Sequence, residues 1–274
     1  MFAAALLASL APAKAQDLDS VTAAALDAAI AGPHRADADK ARDIYRHPKE
    51  TLAFFGFRHD MTVVEIWPGG GWYTDILAPA LREKGRLYAA HFDINSYLPF
   101  GRRGLGSYLT KLGENPALYG RVLVTALDYP KAGPIAPAGS ADLVVTFRNV
   151  HNWVSKYFAG VDFASAVFHA AFQALKPGGV LGVVEHRWDD PENEDPLAGN
   201  GYMSERRVIA LAQAAGFELV ARSEINANPK DTRRHPKGVW TLPPRYALGD
   251  EDRAKYQAIG ESDRMTLKFR KPGP

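Results

Sequence analysis

Across 274 residues, 46% hydrophobic and 23% charged, the chain has the composition of an ordinary globular protein that can bury one sizeable core and needs no second domain. Its 33 basic and 31 acidic residues leave a formal charge of +2, with the basic ones scattered, so no nucleic acid or anionic membrane surface is expected as a partner. No cysteine is present, which excludes disulfides and thiolate chemistry.

The chain opens on an apolar run, Phe2 to Leu10 (FAAALLASL), followed by Pro12 and then by Ala13-Lys14-Ala15 ahead of Gln16. Small residues at those two positions are what a signal peptidase reads. Residues 1–15 are therefore expected to be a cleaved signal peptide, and the mature protein to be periplasmic or secreted; a frayed Ala-rich helix is the alternative. The run falls far short of the roughly 20 apolar residues that span a bilayer, so no membrane attachment is expected after cleavage. Segments 17–30 and 36–45 are helical in period, and Pro48 opens a third helix that Gly56 stops, so 16–56 reads as an N-terminal helical cap. From Met61 onward, apolar β-branched runs at 62–66, 86–92, 121–127, 142–147, 180–185, 217–223 and 265–270 alternate with helical stretches such as 163–175 and 204–215. Strands without clean polar alternation predict burial on both faces. Their alternation with helices predicts an α/β domain over 57–274, built on a mostly parallel sheet with helices on both faces. Between the last two strands the chain inserts about 226–262, and an insertion of that length in a compact domain is commonly functional.

On such a sheet, ligands bind beyond the carboxyl ends of the strands. The first core strand runs into TVVEIWPGGGWYT, where Pro68-Gly69-Gly70-Gly71 lets the backbone turn sharply and lets a ligand approach the main chain. Alone, such a turn is shared by dinucleotide binders and many others, and a tight turn without a ligand is the plain alternative. The order of segments narrows the reading. VVEIWPGGGWYTDILAPAL resembles motif I of the class I S-adenosylmethionine-dependent methyltransferases, and GRLYAAHFD looks like their second strand. TALDYP resembles the third-strand turn, SADLVVTFRNVHNW the fourth-strand segment, and ALKPGGVLGVVEH the helix turn and fifth strand. GYMSERRVIALAQAAGFELV is similar to the last helix and sixth strand, and DRMTLKFRK to the final one. The match runs from Leu52 to about Val220, and EIWPGGGWYT together with an export signal resembles a group of exported methyltransferases.

The resemblance implies a Rossmann-like seven-stranded sheet, S-adenosyl-L-methionine as cofactor, and methyl transfer to an acceptor. It places Glu65 toward the cofactor's ammonium group, Pro68, Gly69, Gly70 and Gly71 along its backbone cradle, and Asp128 at the adenine amino group. Asp128 also reads as a plain turn former ahead of Pro130. Two residues depart from the pattern. Trp67 stands at the first glycine of the motif; ordinary backbone angles are expected there, with Pro68 opening the turn and the indole packed on the cap segment LAFFGF. His91 stands where a carboxylate usually meets the ribose, with Asp93 two residues later as a substitute; an imidazole cannot accept two hydrogen bonds as a carboxylate can.

Methyl transfer needs in-line positioning, and a general base only when the acceptor atom is protonated. Asn149, His151 and Asn152 follow the fourth strand at the mouth where an acceptor enters, with His151 the base if one is needed. A capping Asn beside a partly buried His is the plain reading. Glu185 and His186 share that rim as a solvated pair, whereas Trp72 and Tyr73 are expected to pack. In the insertion, Arg233, Arg234, His235 and Lys237 beside Trp240 form either a clamp for an anionic or aromatic acceptor or a surface loop. The eight histidines show no metal-ligand spacing, so no metal is expected. A small-molecule acceptor is expected rather than a macromolecule. A non-catalytic or differently liganded protein on the same fold is the alternative function, and a dinucleotide oxidoreductase a weaker one, since Gly69-Gly70-Gly71 lacks that fingerprint's full spacing.

Overall fold

The computed structural model describes residues 17–129, 132–158 and 160–273, so the expected signal peptide and Pro130 lie outside it. The strands are β1 Thr62–Ile66, β2 Arg86–His91, β3 Val122–Ala126, β4 Ala141–Phe147, β5 Leu175–Trp188, β6 Met203–Ser204, β7 Glu218–Ser223 and β8 Arg264–Arg270. Their order across the sheet is β3-β2-β1-β4-β5-β8-β7, with the two-residue β6 beside β5. β1 to β5 pair parallel, and β8 runs antiparallel to both β5 and β7. All seven expected strands form, and β6 is the addition.

Alternate residues of β1 supply two separate cores. Val64 and Ile66 join one with Phe163, Val167 and Phe168 from the helix Phe163–Ala174. Val63 joins the other with Leu26, Leu52, Phe54 and Phe55 of the N-terminal helices and with Phe57 just after them. Burial on both faces follows for the central strands, as the missing polar alternation implied. It fails for β3, where Leu123 and Val124 are 42% and 37% exposed. β3 is an edge strand, and an apolar VLVTA run cannot announce that its outer side lacks a neighbour.

Two helical regions also differ from expectation. The stretch 36–45 is split into Asp37–Lys40 and Asp43–Arg46. Long-range pairing fixes the break: buried Arg35 holds Asp43 with two bonds of 2.6 and 2.8 Å, while Arg42 and Arg46 both reach Glu261, at 2.6 and 3.1 Å. An additional helix, Pro99–Glu114, lies between β2 and β3. Four glycines hide it from propensity reasoning, but Pro99 starts it, and Leu105 and Tyr108 anchor it. Gly101 lets it approach: a Cβ there would stand 3.0 Å from the Phe92 ring.

Candidate active site

The strand order reverses between β1 and β4, so the segments following these strands open on one crevice. Asn149 ties them together, its amide nitrogen donating to the carbonyls of Ile66 and Trp67 and to the Thr146 hydroxyl, at 2.9, 3.2 and 3.1 Å. That engagement makes Asn149 a brace between strand ends. It leaves the catalytic assignment to its neighbours.

Trp67 reverses both of its expectations. Its φ is +46°, in the left-handed region, so the turn begins at Trp67 itself and not at Pro68. The indole faces away from the cap, against Phe92 at 4.4 Å and Phe163 at 5.9 Å between ring centres, and its N–H donates to the Leu127 carbonyl at 2.9 Å. A left-handed tryptophan costs on the order of 1 kcal/mol, which a buried, hydrogen-bonded aromatic readily offsets. Trp72 and Tyr73 pack as expected: Tyr73 stacks on Phe147, and Trp72 lies under the guanidinium groups of Arg35 and Arg46.

Past Trp67 the glycine turn is half open. Gly69 and Gly70 are exposed, and a Cβ on either would meet nothing within 4 Å. Gly71, at φ +84°, is covered by the helix Pro99–Glu114: its Cβ would meet Tyr108 at 3.2 Å and Lys111 at 3.4 Å. Beneath the turn, Glu65 is buried and accepts from the Thr74 hydroxyl at 2.6 Å; with that proton committed, the Tyr108 hydroxyl donates to Thr74 at 3.1 Å. Burial pushes the Glu65 carboxyl up to about 7, opposed by the Thr74 hydrogen bond.

His91 is tied within the protein. Its Nδ1 accepts from the Phe92 N–H at 2.8 Å, which places the proton on Nε2, facing the Gly69 carbonyl at 3.4 Å. Burial lowers its pKa, so it stands neutral with both nitrogens engaged. Asp128 accepts from the N–H groups of Asp93 and Tyr129, at 3.0 and 2.8 Å, and so stitches the ends of β2 and β3 together. Asp93 uses one oxygen on the Asn95 N–H, and the other has no partner among the described residues. Asp93 and Asp128, with Tyr97 and Tyr129, line a cavity of about 810 Å³.

Beyond β4, His151 sits on Glu185. Its Nδ1 donates to Oε1 at 2.9 Å and its backbone N–H to Oε2 at 3.2 Å, while the His186 N–H adds a third bond to Oε1 at 2.7 Å. Glu185 is fully buried, not the solvated strand-end charge its position suggested. The arrangement leaves His151 Nε2 to accept a proton. His151 and Asn152 line two cavities, of about 990 and 270 Å³, which also share Trp240 and Arg245. His186 donates or accepts at Ser262 Oγ, 2.6 Å from Nδ1; burial and then the charges of His151, Arg148 and Arg264 hold its pKa well below the ordinary range. His151, Glu185 and His186 bring possible metal-ligand atoms within 4.8 Å of one another. The expectation of no metal rested on spacing along the chain, which does not reach a group assembled from two segments.

The basic insertion segment lies largely at the surface, with most of its charges paired within the protein. Arg233 pairs with Asp263 and Asp189, Arg234 with Asp189, and His235 with Asp231 at 2.7 Å. Those arginines are not a clamp, although His235, Lys237 and Trp240 do line the larger cavity.

No family model and no curated protein matches the sequence. Solved structures match in fold. A SAM-dependent methyltransferase from Aquifex aeolicus aligns at 16% identity over 84% of this chain and 93% of that one, with a TM-score of 0.55. The [4+2]-cyclase SpnF aligns at 15% identity over 93% of each chain, TM-score 0.56. A geranyl diphosphate methyltransferase in complex with SAM aligns at 13% identity over 97% of this chain and 99% of that one, TM-score 0.51. The fold is that of the class I methyltransferases.

On that methyltransferase fold the residues that sequence reasoning missed are cationic. Arg42, Arg46, Arg148 and Arg245 line the smaller cavity with His151 and His186. Arg42 and Arg46 are four apart in a helical stretch, and Arg148 directly follows the mostly apolar strand ADLVVTF, which are the only signals the sequence offers. No helix among the described residues is long and apolar enough to cross a membrane.

Proposed function

We propose that the protein is an S-adenosylmethionine-dependent methyltransferase acting on a small-molecule acceptor beside His151. The observation that carries this reading is the His151–Glu185 pair, held at 2.9 Å at the junction of two cavities, across the switch point from the exposed glycine turn. The residues present fit the cofactor: Gly69 and Gly70 leave backbone uncovered, and Asp93 and Asp128 line a cavity beside aromatic rings. When bound there, the cofactor supplies a methyl group on a sulfonium. This chain's own contribution is positional and protolytic. Glu185 fixes the His151 tautomer, Nε2 takes the proton from an acceptor O–H or N–H, and Asn152 offers a hydrogen-bonding group to orient it. Export is part of the proposal, supported by the run Phe2 to Leu10 and by Ala13-Lys14-Ala15; mass spectrometry of the native N-terminus tests it.

The second reading, a differently liganded or non-catalytic protein on this fold, is favoured by His91, whose nitrogens are both engaged, and by the covering of Gly71. The likeness to a [4+2]-cyclase illustrates how one fold hosts other chemistry. Calorimetric titration with S-adenosylmethionine and with S-adenosylhomocysteine separates the two. Saturable binding of both is expected; no heat with either ligand would leave only the second reading.

A further inference from the structure

The smaller cavity, about 270 Å³, is lined by Arg42, Arg46, Arg148 and Arg245 together with His151 and His186. One carboxylate lines it, Glu261, and that group is already shared by Arg42 at 2.6 Å, Arg46 at 3.1 Å and Arg264 at 2.8 Å. Arg148 makes no side-chain hydrogen bond or ion pair among the described residues, although it is only partly exposed. Arg46 is 98% buried and leaves Nη1 without a partner. Guanidinium groups do not discharge at neutral pH, so these four, of which Arg46 is buried, Arg42 and Arg148 half-buried and Arg245 exposed, leave the cavity with an excess of positive charge over its one shared carboxylate. Native proteins pair such groups, and one left without a partner in a cavity marks where a ligand completes the set.

We infer that the acceptor carries an oxyanion group, a carboxylate or a phosphate, which seats on Arg148, Arg46 and Arg42 in this cavity while the rest of the molecule passes His151 into the larger one. Planar guanidinium forks match either oxyanion through paired N–H···O bonds. The two cavities share His151, Asn152, Trp240 and Arg245, so an anion seated in the smaller one holds the neighbouring part of its molecule at the base. The same charges argue against a cation on His151, Glu185 and His186, because Arg148 and Arg264 act on His186 as like charges and Glu185 is committed to three N–H groups. Burial and the neighbouring Arg264 lower the Arg148 pKa to about 10, which still leaves it charged at neutral pH.

Naming the acceptor's anionic end rests on the methyl-transfer reading, but the anion site itself does not, and the experiment keeps them apart. Inorganic phosphate and benzoate are titrated calorimetrically into the full chain at constant ionic strength in chloride, with S-adenosylmethionine titrated in parallel. Saturable binding of at least one anion is expected, and the stronger arm identifies the oxyanion. Arg148→Met should weaken it tenfold or more, raise Tm by relieving an unpaired charge, and leave S-adenosylmethionine binding unchanged. Arg42→Gln is the second variant, partly exposed and leaving Glu261 two arginine partners; a threefold or greater weakening is expected. Failure of both anions to bind, or equal binding by the variants, overturns the inference. Anion binding without S-adenosylmethionine binding overturns the methyl-transfer reading alone.

Discussion

The two halves of the sheet's carboxyl edge are finished differently. At the ends of β1, β2 and β3 the polar groups answer one another: Tyr108 donates to Thr74 and Thr74 to Glu65, His91 has both nitrogens engaged, and Asp75 takes Lys111 and Tyr119 at 2.6 and 2.5 Å. At the ends of β4 and β5 they do so only in part: Glu185 takes three N–H groups and Asn149 braces the strand ends, but other groups are left over. Among the described residues Arg148 has no side-chain partner, Arg46 keeps a buried Nη1 unpaired, and His151 turns Nε2 to a cavity. Satisfied groups hold a framework, whereas unsatisfied buried ones await something the chain does not contain. A ligand over the glycine turn therefore meets main chain and a few free oxygens, and the base proposed here stands in the other half.

The largest test of that division removes the base. His151→Ala should lower methyl transfer from labelled S-adenosylmethionine by roughly 10²- to 10⁴-fold, the usual worth of general base catalysis, with cofactor affinity unchanged. A variant with full activity would show that the acceptor atom needs no base, and the β4–β5 half would then serve binding alone.

The framework half is tested at Trp67. Its indole is buried among Phe92, Trp153, Phe158 and Phe163, so Trp67→Ala should destabilise by about 4 kcal/mol. Because φ is +46°, Trp67→Gly should cost about 1 kcal/mol less than the alanine, the reverse of the usual order. Denaturant unfolding of the pair checks this. Equal losses would mean that the backbone at Trp67 carries no strain.

Glu65 gives the next effect. Its carboxyl rises from 4.5 to about 7 because of burial, so the native state holds a proton there that the unfolded chain has lost. Stability therefore falls as pH rises through that window, by up to about 3 kcal/mol. Glu65→Gln should flatten the slope and gain on the parent chain above pH 7. Unfolding in urea at pH 5 and pH 8 decides it, and parallel profiles would place Glu65 outside the buried framework.

What the sequence made legible follows the same division. The β1 run, the glycines and the order of later segments announce the strands, because fully buried parallel strands are written as apolar runs. His151 was legible as a polar residue just past β4. Its partner Glu185 was misread because strand pairing, not spacing, brings the two residues together. Arg42 and Arg46 reach the cavity only through a helix break made by pairing with Glu261, more than 200 residues away along the chain. The RRHPK cluster read as either an acceptor clamp or a surface loop, and its Arg233, Arg234 and His235 are bound to Asp189, Asp231 and Asp263, since charge density along a chain says nothing of which charges are neutralised in space.

The smallest effect separates framework from ligand at the glycine turn itself. Gly71 is the obvious probe, but a Cβ there would meet Tyr108 at 3.2 Å and Lys111 at 3.4 Å from a left-handed backbone, so Gly71→Ala should cost roughly 1–2 kcal/mol for reasons internal to the fold. Gly70 has no positive φ, and its Cβ would meet nothing within 4 Å. Gly70→Ala should therefore change stability by no more than about 0.5 kcal/mol, the range of ordinary surface substitutions. If the cofactor lies against this backbone, the same variant should lose affinity for S-adenosylmethionine, because the new methyl group stands in space that only a ligand fills. Unfolding and calorimetry on the Gly70 variant read the two quantities separately. Unchanged stability with unchanged affinity would remove the cofactor from Gly70 and assign the turn to the framework half alone.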